Sequence, residues 1–82
     1  MTREEIDRKV RTIFTDLFGV EASNISTDSS PDTVPGWDSL QHLNLITSIE
    51  GEFGVSLSDE QVVEMLSFGL IVEILSSALE LS

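Results

Sequence analysis

The chain has no cysteine, one histidine and four Lys or Arg residues among its 82. Without cysteine there is no disulfide and no thiolate metal site, so any thiol chemistry must come from an added group. No apolar run approaches the ~20 residues that a membrane span requires. The shortage of basic residues against 15 acidic ones gives a net charge of −11. Such a surface repels phosphate, so nucleic acid is excluded as a partner. It suits basic protein surfaces instead, met in fast, salt-sensitive encounters. The opening Thr2-Arg3-Glu4-Glu5 is charged and helix-forming, unlike a secretory leader, and a cytoplasmic protein is expected.

What remains is a sequence rich enough in apolar residues, at 40%, to argue against disorder. One small domain spanning residues 1–82 is expected, with a modest core. Residues 2–18 read as a first helix: Thr2 and Glu5 have capping-box spacing, and Ile6, Val10, Ile13, Phe14, Leu17 and Phe18 form a stripe. Arg3, Lys9 and Arg11 lie on this helix, which disfavours it as a docking face for a basic partner. Gly19 fits its C-terminal stop. A connection over residues 20–37 is long for a compact domain, and Val20, Ile25, Val34 and Trp37 are its expected pins into the core. Asp28, Ser30 and Asp32 match the first ligand positions of a calcium loop. Thr33 then stands where glycine is required, and Ser39 where a bidentate glutamate belongs, so calcium is excluded.

A second helix begins at Ser39. Asp38 is a good N-cap, and Gln41 three residues on makes a loose capping box. Down this helix His42, Leu45, Ile46, Ile49 and Phe53 share one face, the core stripe. Leu40 points away from it and Leu43 lies about a quarter turn off. Asn44, Thr47, Ser48 and Gly51 lie on or near Leu40's side, flanked by Glu50 and Glu52. Gly54 stops the helix. Ser58 and Gln61 cap a short third helix over residues 59–66, with Val62, Val63, Met65 and Leu66 as its apolar side. Ser67 re-caps the chain for a fourth helix over residues 68–79. Its stripe is Phe68, Ile71, Ile74, Leu75, Ala78 and Leu79, and Leu70 and Val72 extend the apolar surface so that good cover is expected. The fold class is therefore all-α, a small four-helix bundle with a long loop between helices 1 and 2 and a short third helix.

Nothing here reads as an active site. The single histidine, His42, falls on the core stripe and reads as a packed, hydrogen-bonded residue. No third residue orients a Ser39–His42 pair as a triad requires. There is no nucleophile elbow, phosphate-binding glycine loop or His-Glu-x-x-His helix. No catalytic residue and no metal site is expected.

The run Gly36-Trp37-Asp38-Ser39-Leu40, followed by His42-Leu43-Asn44-Leu45-Ile46, Ile49-Glu50 and Glu52-Phe53-Gly54-Val55, resembles the core of an acyl carrier protein. The resemblance extends from about Ile6 to Leu79. It implies that Ser39 carries a 4′-phosphopantetheine arm whose thiol holds acyl groups as thioesters, and that Asp38 assists the modifying transferase. It also implies that the second helix is the recognition element, with Leu40 a contact residue.

The implied partners are a phosphopantetheinyl transferase and acyl-transferring or acyl-processing enzymes with basic docking surfaces, met by a monomeric carrier of fatty acid, polyketide or related lipid biosynthesis. Leu40, Leu43, Asn44, Thr47, Ser48 and Glu50 are the docking candidates. Ile46, Ile49, Phe53, Val62, Met65 and Ile71 are candidates for an acyl-sheltering cleft, or else ordinary core. Asn44 and Gly51 replace glutamates that many fatty-acid carriers have there, which thins the acidic face. An aminoacyl or D-alanyl carrier, and an unmodified acidic interaction module, are the alternatives to be tested.

Overall fold

A computed structural model describes residues 2–80. Met1, Leu81 and Ser82, the ends of the expected 1–82 domain, lie outside the described residues. Four helices follow one another: α1 (Arg3–Phe18), α2 (Ser39–Phe53), α3 (Asp59–Glu64) and α4 (Phe68–Glu80). No strand occurs among the described residues.

The helix ends sit where local chemistry puts them. Thr2 caps α1 by accepting from the Glu5 N–H, and Gly19 ends it in the left-handed region at φ 71°. The expected capping box is incomplete, because the Thr2 hydroxyl itself donates to Glu5 Oε1. At α3 the box is complete: Ser58 Oγ accepts from Gln61 N–H, and Gln61 Oε1 accepts from Ser58 N–H. Helix α3 is shorter than its apolar pattern suggested, ending at Glu64. Fewer than two turns cannot turn four apolar residues inward, so Met65 is buried while Val63 and Leu66 are 67% and 59% exposed. On α4 Val72 is buried as the pattern implied, but Leu70 stands exposed.

The core gathers Ile6, Val10 and Phe14 of α1, Leu45, Ile46, Ile49 and Phe53 of α2, Met65, and Phe68, Ile71, Val72 and Leu75 of α4. Three edge-to-face contacts centre on Phe14, with Phe18, Trp37 and Phe68 at centroid distances of 5.3, 5.2 and 5.4 Å.

The connection between α1 and α2 is pinned as expected by Ile25, Val34 and Trp37, all buried, with Val20 packed at the core's edge. It contains a single 3-10 turn at Ala22–Asn24. A second set of ties comes from outside the loop. Arg11 Nη1 donates to the carbonyls of Ala22 (2.8 Å) and Ile25 (2.6 Å), its Nε donates to Asp7, and its guanidinium lies 4.8 Å over the Phe68 ring. The loop also caps α4: Phe68 N–H donates to the Ser29 carbonyl and Gly69 N–H to the Thr27 carbonyl, while Ser67 Oγ accepts from Leu70 N–H. The helix therefore starts with its first donors satisfied.

Two glycines separate helix propensity from packing. A Cβ at Gly51 meets nothing within 4 Å, whereas one at Gly69 meets the Thr27 carbonyl oxygen at 3.0 Å. Gly51→Ala should stabilise by about 1 kcal/mol, raising Tm by ~4–8 °C. Gly69→Ala should lower Tm, because the Thr27 carbonyl is itself held by the residue being changed. Paired thermal melts check both; an equal rise for the two would contradict the contact.

All four basic residues, Arg3, Arg8, Lys9 and Arg11, lie on α1, and none follows. Lys9 pairs with Glu52 at 3.2 Å and Arg11 with Asp7 at 2.6 Å. The other three helices present carboxylates without a counter-charge of their own. Raising ionic strength at neutral pH is expected to raise Tm by screening this repulsion. A Tm flat or falling with salt would contradict it.

Candidate functional site

The segment that ends the long loop delivers Ser39 to the first position of α2. Val34 and Trp37 are buried and anchor the approach, and Gly36 takes φ 87° between them. A side chain there would be strained, so this glycine permits the turn. Asp38 adopts an extended conformation and its carboxylate accepts from the Gln41 N–H at 2.9 Å. The reciprocal half of the loose capping box is absent, because Gln41 Oε1 accepts from Asn44 Nδ2 at 2.7 Å instead. With Gln41 capped, the N–H groups of Ser39 and Leu40 remain without an intrahelical acceptor. Ser39 itself is exposed. An exposed hydroxyl thus stands at a helix N-terminus whose free donors and dipole favour an anion.

Beside Ser39 lies a groove of about 410 Å³, bordered by Pro31, Trp37, Asp38, His42, Val62, Val63 and Leu66. Its walls are mostly apolar, and one polar link crosses them. Trp37 Nε1–H donates to His42 Nδ1 at 3.0 Å, and His42 Nε2 lies 2.9 Å from the Val62 carbonyl. Indole is a donor only, so Nδ1 is the acceptor and the ring proton sits on Nε2, donating to Val62. Both ring nitrogens are committed, which removes His42 as a base for Ser39. Among the described residues no group of three His, Cys, Asp or Glu side chains could hold a metal ion.

Leu40 and Leu43 are 70% and 60% exposed on the outer face of α2, with Asn44, Thr47 and Ser48 exposed around them. Thr47 is partly occupied, donating to the Leu43 carbonyl. Glu50 stands apart from this set: it is half-buried, and its Oε2 accepts from the Leu57 N–H at 2.9 Å, tying down the segment before α3. Among the cleft candidates, Ile46, Ile49, Phe53, Met65 and Ile71 lie in the packed core, and only Val62 borders the open groove. Val63, Leu66 and Pro31, which form the groove's outer walls, were absent from the sequence candidates. The signal that could have found them is the brevity of α3, which cannot hide all its apolar residues.

Ser39 is accessible, the helix end supplies anion-favouring donors, and an apolar groove begins at the attachment point. These features suit a phosphate-linked arm.

A family model described as "Phosphopantetheine attachment site" matches residues 8–75. The acyl carrier protein of Petrotoga mobilis is 31% identical over 81 residues, covering 99% of this chain and 95% of that protein. That of Thermotoga maritima is 32% identical over 78 residues, 95% of this chain and 96% of that one. A non-reducing polyketide synthase of Didymella fabae is 39% identical over 69 residues, which is 84% of this chain and 3% of the synthase. Among solved structures, an acyl carrier protein from Enterococcus faecalis superposes with a TM-score of 0.80 at 30% identity, covering 95% of this chain and 99% of that one.

Proposed function

Because this chain belongs to the acyl carrier protein family, non-catalytic proteins that carry acyl intermediates on covalent 4′-phosphopantetheine, we propose that Ser39 is the residue that takes the arm. The observation that carries this assignment is the exposed Ser39 hydroxyl at the first position of α2, with the apolar groove opening beside it.

The division of labour follows from the residues. Ser39 supplies the oxygen of the new phosphodiester, which forms as the pyrophosphate bond of coenzyme A breaks and its adenosine bisphosphate part leaves. Both nitrogens of His42 are engaged, so the transferase rather than this histidine accepts the Ser39 proton. Asp38 caps the helix end and borders the groove, and in this reading it assists the transferase. The free N–H groups of Ser39 and Leu40 favour the phosphate once it is attached. When bound, the arm supplies the terminal thiol that this cysteine-free chain lacks, and that thiol holds the acyl group as a thioester.

Partners of this family include the phosphopantetheinyl transferase and acyl-processing enzymes. In our reading they dock on Leu40 and Leu43 with a basic rim facing the acidic helices, and residues 1–82 act as one monomeric carrier domain in the cytoplasm. No helix among the described residues is long and apolar enough to cross a membrane.

Incubation with coenzyme A and a phosphopantetheinyl transferase should add the mass of one arm. A clean absence of modification with several broad-specificity transferases overturns the assignment. The docking face has its own test. Leu40→Glu should lower the transfer rate at least ~10-fold, the loss of about 1.4 kcal/mol of contact. Its Tm should stay within a few degrees, because the side chain is mostly in water. An unchanged rate would remove Leu40 from the interface.

A further inference from the structure

We propose that the Trp37–His42–Val62 relay closes the seam between α2 and α3, so that this carrier shelters short acyl groups in the surface groove and keeps long saturated chains out of the bundle. The proposal rests on Ser39 as the attachment point.

The relay stands on the boundary between groove and core. His42 borders the groove and lies on the same face of α2 as Leu45, Ile46 and Ile49. Val62 borders the groove on α3 and packs against the core. The bond between His42 Nε2 and the Val62 carbonyl therefore bridges the two helices beside Ser39. The indole fixes the far side of the imidazole by its 3.0 Å hydrogen bond, with the two rings 19° from parallel and their centroids 6.0 Å apart.

A hydrocarbon chain passing inward between His42 and Val62 has to part this bond. It then leaves the imidazole N–H facing apolar atoms, which is unfavourable, and leaves the Val62 carbonyl with only its 3.3 Å bond from the Met65 N–H. Beyond the seam, Leu45, Ile49, Met65 and Ile71 are fully buried, so the chain would also have to displace close-packed side chains. The groove asks for neither. It opens at the attachment point, and Val63 and Leu66 already expose apolar surface that a short acyl group can cover.

The test loads the full chain with acetyl, butyryl, octanoyl and dodecanoyl arms from the corresponding coenzyme A thioesters, confirms loading by intact mass, and measures Tm for each. A chain taken into the core adds stability with each buried methylene. The wild type should instead show Tm values within about 2 °C from butyryl to dodecanoyl, while His42→Val, lacking the relay, should climb by about 5 °C or more. A climb of that size in the wild type overturns the proposal, as does a flat series in a folded His42→Val. Should that variant not fold, amide hydrogen exchange of the wild type decides. Unchanged protection of Leu45 and Met65 between butyryl and dodecanoyl arms supports the closed seam, and altered protection overturns it. The two layers separate cleanly: no mass gain at all overturns the Ser39 assignment and this proposal together, whereas a full gain with a climbing Tm overturns only the seam.

Discussion

Trp37→Ala is expected to cost about 3–5 kcal/mol, a large share of the stability of a domain this size. The indole is 3% exposed, meets Phe14 edge-to-face at 5.2 Å and is hydrogen-bonded to His42. Removing it leaves a cavity beneath the turn that presents Ser39 and leaves His42 Nδ1 without its donor. Thermal unfolding should show Tm lower by at least ~12 °C. Trp37→Phe separates the two contributions. It keeps an aromatic ring but removes the Nε1–H, so a smaller loss of about 1–2 kcal/mol is expected. If Trp37→Ala melts within a few degrees of wild type, the loop end is not anchored by the indole, and the placement of Ser39 needs another cause.

Ser39→Ala should abolish attachment of the arm while leaving the fold intact. The side chain is exposed at the first helical position, and no hydrogen bond of the capping turn passes through its hydroxyl: the Gln41 N–H is held by Asp38. Alanine is also a strong helix former, so Tm should stay within a few degrees of wild type. The pairing of unchanged melting with total loss of modification is what distinguishes a chemical role from a structural one. Residual modification of Ser39→Ala at the wild-type rate would move the attachment site elsewhere.

The parts of this structure that were legible in the sequence are those decided locally. Thr2, Gly19, Asp38, Gly54 and Ser58 mark helix ends because their caps involve backbone groups at most three or four residues away. The outward direction of Leu40 and the inward direction of Leu45 and Ile49 follow from helical periodicity alone. What could not be read depends on elements meeting in space. Arg11 looked like a surface charge on the first helix, yet it holds the carbonyls of Ala22 and Ile25 across the bundle's edge. Glu50 looked like part of an acidic rim, yet it accepts from Leu57. Gly69 sits under the Thr27 carbonyl for a reason found only in how the loop crosses α4.

The same division runs through the candidate site. Ser39 and Asp38 were proposed from the run Gly36-Trp37-Asp38-Ser39-Leu40 together with Glu52-Phe53-Gly54-Val55 one helix later. His42 was placed correctly on the inner face, but its partners come from the loop before α2 and from α3, at sequence separations of 5 and 20 residues. The cleft candidates came from the apolar sides of three helices, and such stripes report which residues face inward without reporting where the interior is open. The groove beside Ser39 is bordered mainly by residues of short or irregular segments, Pro31, Trp37, Val62, Val63 and Leu66, which carry no long periodic signal.

The most direct measurement is localisation of the arm by peptide mass spectrometry. No Lys or Arg follows Arg11, so trypsin leaves the region uncut, but cleavage after glutamate releases residues 22–50 as one peptide. After treatment with coenzyme A and a transferase, fragmentation of that peptide should place a single arm on Ser39, between Asp38 and Leu40. An arm found on Ser29, Ser30 or Ser48, or a peptide that stays unmodified, would contradict the account.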